Sequence, residues 1–149
     1  MTLKEKLLKV MSAVAVLGKD SRNAEIGYDY VSAAKFNAAV SKALRENRII
    51  CIPNIHVLKS DVCVEGTFAS IEAEITLADA DSDETFTIRS AGDGKGKNAM
   101  GAAQTMAMKY AWKMAFVVAE KGDDPDSDKT TETTKAKPSD NNSVWIKRY

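Results

Sequence analysis

Ala69-Ser70-Ile71-Glu72-Ala73-Glu74-Ile75-Thr76-Leu77 alternates between apolar and polar residues at almost every step. Ala69, Ile71, Ala73, Ile75 and Leu77 fall on one face of an extended chain, and Ser70, Glu72, Glu74 and Thr76 on the other. One face is buried and the other wet, the habit of an antiparallel sheet packed on one side only. The pattern reaches back to about Val62. Working outward, Asp79 to Asp83 makes a polar turn, and Thr85-Phe86-Thr87-Ile88-Arg89 returns as a further strand. Upstream, Ile49-Ile50-Cys51-Ile52 opens the β region, and Pro53, which has no N–H to give a ladder, points to an edge or a bulge. The reading is a meander of three antiparallel strands.

Helices flank this meander. Thr2-Leu3-Lys4-Glu5 has the form of a capping box, and Leu3, Leu7, Val10, Met11 and Val14 then recur at helical spacing to about Gly18. Asp20 to Glu25 reads as a polar loop, Gly27 to Val31 as a short extended segment, and Ser32 as the cap of a second helix with Phe36, Val40 and Leu44 on its apolar side. Beyond the meander, Asn98 is the expected cap of a long helix. Its Met100, Ala103, Ala107, Tyr110, Met114 and Val117 are expected to form a stripe against the sheet. The fold class is α+β: a three-stranded antiparallel meander backed by a long C-terminal helix and preceded by two helices and a short strand. Residues 1–121 form the core domain. Residues 122–149 hold little to bury and are expected to be a disordered acidic and polar tail. The tail ends in Val144-Trp145-Ile146-Lys147-Arg148-Tyr149, which reads either as a partner-docking peptide through Trp145, Ile146 and Tyr149 or as an incidental terminus.

Composition narrows the function. A chain of 149 residues, 44% of them hydrophobic, supports one self-sufficient core. No apolar run is long enough to span a bilayer, and the first residues lack a signal peptide's apolar stretch, so a cytoplasmic location is expected. Cys51 and Cys63 lie in β-branched runs with only His56 nearby, which favours reduced thiols over a disulfide or a zinc site. The net charge of zero argues against a uniformly basic coat protein, but the charges are sorted along the chain. Glu72, Glu74, Asp79, Asp81, Asp83 and Glu84 follow one another with no base between them. Arg89, Lys95, Lys97, Lys109, Lys113 and Lys121 then meet only Asp93 and Glu120. A local field of this kind steers polyanions whatever the total charge.

The junction Ala91-Gly92-Asp93-Gly94-Lys95-Gly96-Lys97-Asn98 lies between strand and helix, where unpaired N–H groups and the helix dipole favour an anion. It approaches a P-loop. Asn98, however, replaces the hydroxyl residue that would hold Mg²⁺, Ala91 replaces the first glycine, and the preceding strands are antiparallel rather than parallel. A polyanion held without chemistry needs neither hydroxyl nor metal: glycines admit the backbone, and Lys95 and Lys97 neutralise phosphate. Lys109 and Lys113 lie one turn apart on the same expected helix face as Asn98 and Thr105, giving a basic strip from the helix start, against the alternative of a merely solvated face. Trp112 and Phe116 flank it, and burial or an interface is favoured for both over base stacking. Tyr28 and Tyr30 share one strand face and are either sheet packing or stacking platforms for unpaired bases. Asp79-x-Asp81-x-Asp83 imitates the start of a calcium loop, but Glu84 and Ser90 stand at positions that need glycine and glutamate, so a solvated hairpin turn is expected. No pairing of the single His56 with a nucleophile or carboxylate suggests catalysis.

Taken in order, five segments resemble the Erf family, phage essential-recombination-function proteins that anneal single strands. They are Gly27-Tyr28-Asp29-Tyr30-Val31-Ser32, Ala43-Leu44-Arg45-Glu46-Asn47, Ala91 to Lys97, Thr105-Met106-Ala107-Met108-Lys109-Tyr110-Ala111 and Gly122-Asp123-Asp124-Pro125-Asp126. The resemblance runs from about Gly27 to Asp126. It implies a fold like that of the eukaryotic single-strand annealing recombinases, subunits assembled in rings or filaments, single-stranded DNA in an outer groove, and no use of ATP. Lys97 and Lys109 match basic positions of the family pattern and are the foremost DNA-contact candidates. Arg89, Lys95 and Lys113 join them from local charge and helix geometry alone. Asn98-Ala99-Met100-Gly101 departs from the pattern.

The expectation is an ATP-independent protein of phage-type recombination that binds single-stranded DNA and anneals complementary strands. It has no catalytic residue, no metal and no cofactor. Its expected partners are single-stranded DNA, further copies of itself and, through the tail, a host ssDNA-binding protein, with no membrane. Two other readings stay open: a P-loop-like nucleotide hydrolase resting on Ala91 to Asn98, and a scaffold whose tail recruits a host replication or ssDNA-binding protein.

Overall fold

The computed structural model describes residues 1–63 and 66–121, without the side chains of Val62 and Cys63. The tail, with Trp145, Ile146 and Tyr149, lies outside the described residues. In chain order the elements are α1 (Leu3–Ala13), β1 (Val16–Leu17), β2 (Ser21–Asn23), β3 (Tyr28–Tyr30), α2 (Ala33–Glu46), β4 (Ile49–Cys63), β5 (Gly66–Asp79), β6 (Thr85–Lys95), α3 (Ala99–Ala115) and β7 (Ala119–Glu120). The protein is of mixed α+β class, with a three-stranded antiparallel sheet and a long helix towards the end of the described residues.

The capping box forms as the sequence implies. Thr2 Oγ1 accepts from the Glu5 N–H at 3.2 Å, and the Glu5 carboxylate accepts from the Thr2 N–H at 2.7 Å. The helix stops at Ala13, short of the expected Gly18, because the chain beyond it is claimed by a distant partner. Val16–Leu17 pair in parallel with Ala119–Glu120, and the Ala119 and Lys121 N–H groups donate to the Ala15 and Leu17 carbonyls at 2.9 Å. The expected polar loop at Asp20 to Glu25 is also partly strand. Ser21–Asn23 pairs antiparallel with Tyr28–Tyr30, closed by Gly27 at φ 73° and by an Arg22–Asp29 ion pair of 3.0 Å. A polar two-stranded ribbon carries no apolar alternation, so its periodicity is silent. Ser32 caps α2: its Oγ accepts from Lys35 N at 3.1 Å and donates to the Asp20 carboxylate at 2.7 Å.

β5 is the central strand of the order β4-β5-β6, and Ala69, Ile71, Ala73, Ile75 and Leu77 are all buried on its helix-facing side. Full burial of Ile71, Ile75 and Leu77 contributes about 1.5–3 kcal/mol each. Pro53 sits opposite Ile75 in β4, an edge strand, with a bulge between Val57 and Lys59.

Two expectations for the last helix are corrected. The glycine- and lysine-rich stretch is largely not a loop, because β6 runs through to Lys95 and only Gly96, Lys97 and Asn98 turn the chain into α3. The glycines serve packing. A β-carbon on Gly92 would come within 2.2 Å of the Ala103 carbonyl oxygen, and one on Gly94 within 1.9 Å of that of Ala99. The helix backbone therefore lies almost on the strand, and where it meets the strand only alanine fits, at Ala99, Ala103 and Ala107. For the same reason the expected stripe is rotated. Ala103 and Ala107 face the sheet, whereas Tyr110, Met114 and Val117 are 46%, 78% and 74% exposed. Trp112 and Phe116 are buried and stacked, 5.9 Å between ring centroids, and Trp112 Nε1 donates to Asn37 Oδ1 at 2.9 Å.

Candidate nucleic-acid interface

The ribbon β2–β3 and the helix α3 bring together residues that are far apart in sequence. Tyr28 and Tyr30, two apart in β3, project to one side with ring centroids 5.9 Å apart and planes tilted by 54°. Tyr28 is half exposed. The Lys109 ammonium sits 5.0 Å from the Tyr30 ring centroid and 5.8 Å from that of Phe36, within reach of a cation–π attraction. Burial lowers the Lys109 pKa below its ordinary value, the Glu120 carboxylate pulls it back, Lys113 lowers it further and Asp20 opposes. One turn along, Lys113 Nζ lies 3.6 Å from Glu120 Oε2, with the carboxylate almost fully buried in β7. This surface combines an aromatic pair with two cations, the ingredients of a site that stacks bases and neutralises their phosphates.

The other predicted cations lie elsewhere. Gly92 and Gly94 face α3, so the alternating Arg89 and Lys95 lie on the opposite, open side of the sheet. There Arg89 Nη2 pairs with Glu74 Oε2 at 3.3 Å, and Lys95 stands across from Phe68. Lys97 is exposed in the turn before α3, and the first residue of that helix, Ala99, lies about 15 Å along the axis from Lys109 at about 1.5 Å per residue. The predicted cations thus fall into a Lys109–Lys113 cluster on the β3–α3 side, the Arg89–Lys95 pair on the open sheet face, and Lys97 exposed in the turn before α3. Asn98 holds the N-cap position without a side-chain capping bond.

This geometry bears on the nucleotide reading. A P-loop wraps a triphosphate with a long glycine-rich loop, whereas here Ala91–Lys95 is paired along its length with β5 and its glycines are covered by α3. The imitation of a calcium loop has a different explanation. Lys6 Nζ donates to Asp79 Oδ1 at 2.5 Å and to Asp81 Oδ2 at 2.7 Å, Arg48 Nη2 donates to Asp81 at 2.8 Å, and Ser82 Oγ donates to Asp79 at 2.8 Å. The turn from Ala80 to Glu84 is exposed, as a solvated hairpin should be, and an ion-pair clamp holds the buried Asp79 at its start. Among the described residues no group of three or more His, Cys, Asp or Glu side chains converges on a metal position. Cys51 is a free, half-buried thiol whose pKa burial raises.

Glu120 escaped attention as a site residue. Its signal was its position, an acid among the bases that follow Arg89, but only the β1–β7 pairing brings it to Lys113.

No curated protein matches the chain. A family model described as the ERF superfamily matches residues 3–148, nearly the whole length. The chain belongs to the ERF superfamily.

Proposed function

We propose that this protein binds single-stranded DNA and anneals complementary strands in phage-type homologous recombination, without ATP and without making or breaking a covalent bond. The observation that carries the reading is Lys109 poised over Tyr30, with Tyr28 beside it and Lys113 one turn away, in a chain of the ERF superfamily. Annealing requires that phosphates be neutralised so that two strands approach, that base edges stay free, and that wrong pairings dissociate. An aromatic face stacks a base whatever its identity, and two or three lysines per subunit neutralise phosphate only modestly. Repetition over a homo-oligomer, a ring or filament with a fold akin to the eukaryotic annealing recombinases, then converts weak contacts into firm retention. Lys109, Lys113 and Lys97 are the proposed phosphate contacts, with Arg89 and Lys95 serving a strand that passes to the open face of the sheet.

The test mixes the protein with complementary oligonucleotides in the absence of any nucleotide and follows duplex formation by fluorescence quenching. Acceleration over the spontaneous rate is expected. An unchanged rate at every protein-to-DNA ratio rejects the function. Phosphate release from ATP or GTP with Mg²⁺ would favour the hydrolase reading instead.

A further inference from the structure

Glu120 is placed at a cost. Its side chain is 8% exposed, Oε2 lies 3.6 Å from Lys113 Nζ, and Oε1 has no hydrogen-bond partner among the described residues. A charge-assisted hydrogen bond to a lysine is shorter, about 2.7–2.9 Å. A buried carboxylate oxygen left unpaired is unfavourable in itself. The fold does not call for this side chain, since β7 is held to β1 by main-chain bonds from Ala119 and Lys121 that most residues at 120 would allow. The cost falls instead beside the two lysines of the proposed site: Glu120 contacts Lys113 and raises the Lys109 pKa against its burial.

We propose that Glu120 is an internal competitor for the DNA phosphate at Lys113. In the free protein its carboxylate engages Lys113 loosely and cancels part of the positive field at Lys109. A bound strand draws Lys113 away, since a phosphate offers oxygens free to come within hydrogen-bond distance where Glu120 offers one long contact. Lys113, with 38% of its side chain exposed, is accessible to a phosphate from solvent. The consequence is weaker grip per subunit than two unopposed lysines would give, and faster release of strands that fail to pair. This inference rests on the reading of Lys109 and Lys113 as phosphate contacts, and the experiment separates the two.

Binding of a fluorescein-labelled oligothymidine is measured by anisotropy over a salt series for the wild type, Glu120→Gln, Lys113→Ala and the double variant, with strand release followed by stopped flow. Glu120→Gln is expected to bind about fivefold tighter, the size of one net charge-assisted contact. Its log affinity should fall more steeply with log salt, by up to about 0.7, the slope of one added single-strand phosphate contact. Its strand release should slow. In the Lys113→Ala background the gain should shrink to less than about twofold, a non-additivity that a generally altered surface charge would not give. If the wild type binds oligothymidine and Glu120→Gln matches it in affinity and slope, the competitor role is overturned while the DNA-binding reading stands. An equal gain with and without Lys113 overturns it as well. If the wild type does not bind, the underlying reading fails first. Should Glu120→Gln not fold, Glu120→Asp keeps the charge but withdraws it by one methylene, and a smaller gain is expected; no gain overturns the inference.

Discussion

Two lysine–carboxylate contacts in this protein differ in kind. At one end of the sheet Lys6 reaches Asp79 and Asp81 at 2.5 and 2.7 Å, and both Asp79 oxygens are further bonded by the Asp81 N–H and the Ser82 hydroxyl. At the far end of α3, Lys113 stands 3.6 Å from a carboxylate with one oxygen unmatched. The first pair is saturated with hydrogen bonds and ties α1 to the turn between β5 and β6. Opening it would strand buried charge. The second is unsaturated: opening it gives up one long contact, but it leaves the buried Glu120 carboxylate without a direct partner until Lys113 returns. A buried ion pair completed on all sides belongs to the fold, and one left incomplete beside an aromatic cation site is available to a ligand.

The sharpest way to break this contrast is to remove each lysine in turn. Lys6→Met is expected to cause the largest loss of thermal stability of any single charge removal in the chain, several times that of Arg48→Ala, with oligothymidine affinity intact in the folded fraction. Lys113→Met is expected to lose most of the oligothymidine affinity while melting later than Lys6→Met, because it strands one carboxylate already half unpaired rather than two saturated ones. Melting followed by circular dichroism beside anisotropy reads both, and a Lys113→Met variant that melts as early as Lys6→Met would erase the distinction.

Acid probes the saturated pair next. The Lys6 contact holds the Asp79 carboxyl below the usual range, and the Arg48 guanidinium, then Lys6, hold that of Asp81 far below it. Stability from these groups is complete above their unfolded pKa of about 3.9 and drains as the pH falls towards their folded values. Lys6, raised by Asp79 and then Asp81, works in the opposite sense: its share is complete below about pH 10.4 and is lost as the pH climbs through its folded value. The melting temperature should therefore fall between about pH 4 and pH 2, and Asp79→Asn with Asp81→Asn should flatten that limb. A wild type with no acid limb counts against the clamp.

The divided basic surface can be tested by comparing Lys97→Glu with Lys109→Glu against Arg89→Glu with Lys95→Glu. The first pair should abolish most binding and lower the salt slope by about 0.7 for each lost single-strand contact, with the second pair costing less. Equal losses would mean that a strand crosses the sheet edge and uses both faces. The smallest effect is expected from Tyr30→Leu, which keeps the bulk beside Lys109 but removes the ring: about fivefold weaker binding, near the low end for a stacked base, with unchanged salt slope. A changed slope would show that Tyr30 acts by placing Lys109 rather than by stacking.

Much of this architecture was legible where a signal is local. The β5 alternation, the Thr2–Glu5 box, the Ser32 cap and the burial of Trp112 and Phe116 each follow from a few neighbouring residues. The sequence missed what depends on distant partners. Val16–Leu17 and Ala119–Glu120 are two-residue strands about a hundred positions apart, and nothing in either announces the other. Gly92 and Gly94 carried the wrong message, because glycine marks a turn in one setting and a close backbone approach in another, and only α3 tells which. Alanine is weakly apolar, so the longer Tyr110, Met114 and Val117 outweighed the alanines in the expected stripe and set its phase wrongly. At the candidate site the residue types were readable, but the meeting of Tyr30 with Lys109 and of Lys113 with Glu120 was not.

The contact of Gly92 and Gly94 with the alanines of α3 has a consequence for how this surface can change over time. The height of the helix above the sheet is set by main chain on main chain, so it is insensitive to whatever is carried on the outer side. Thr105, Lys109, Tyr110, Lys113 and Met114 can be exchanged without the platform rising or sinking beneath them. If this surface holds DNA as proposed, its affinity is therefore free to drift among descendants of this chain, while a side chain in place of either glycine would lift the whole helix and displace every outward residue at once.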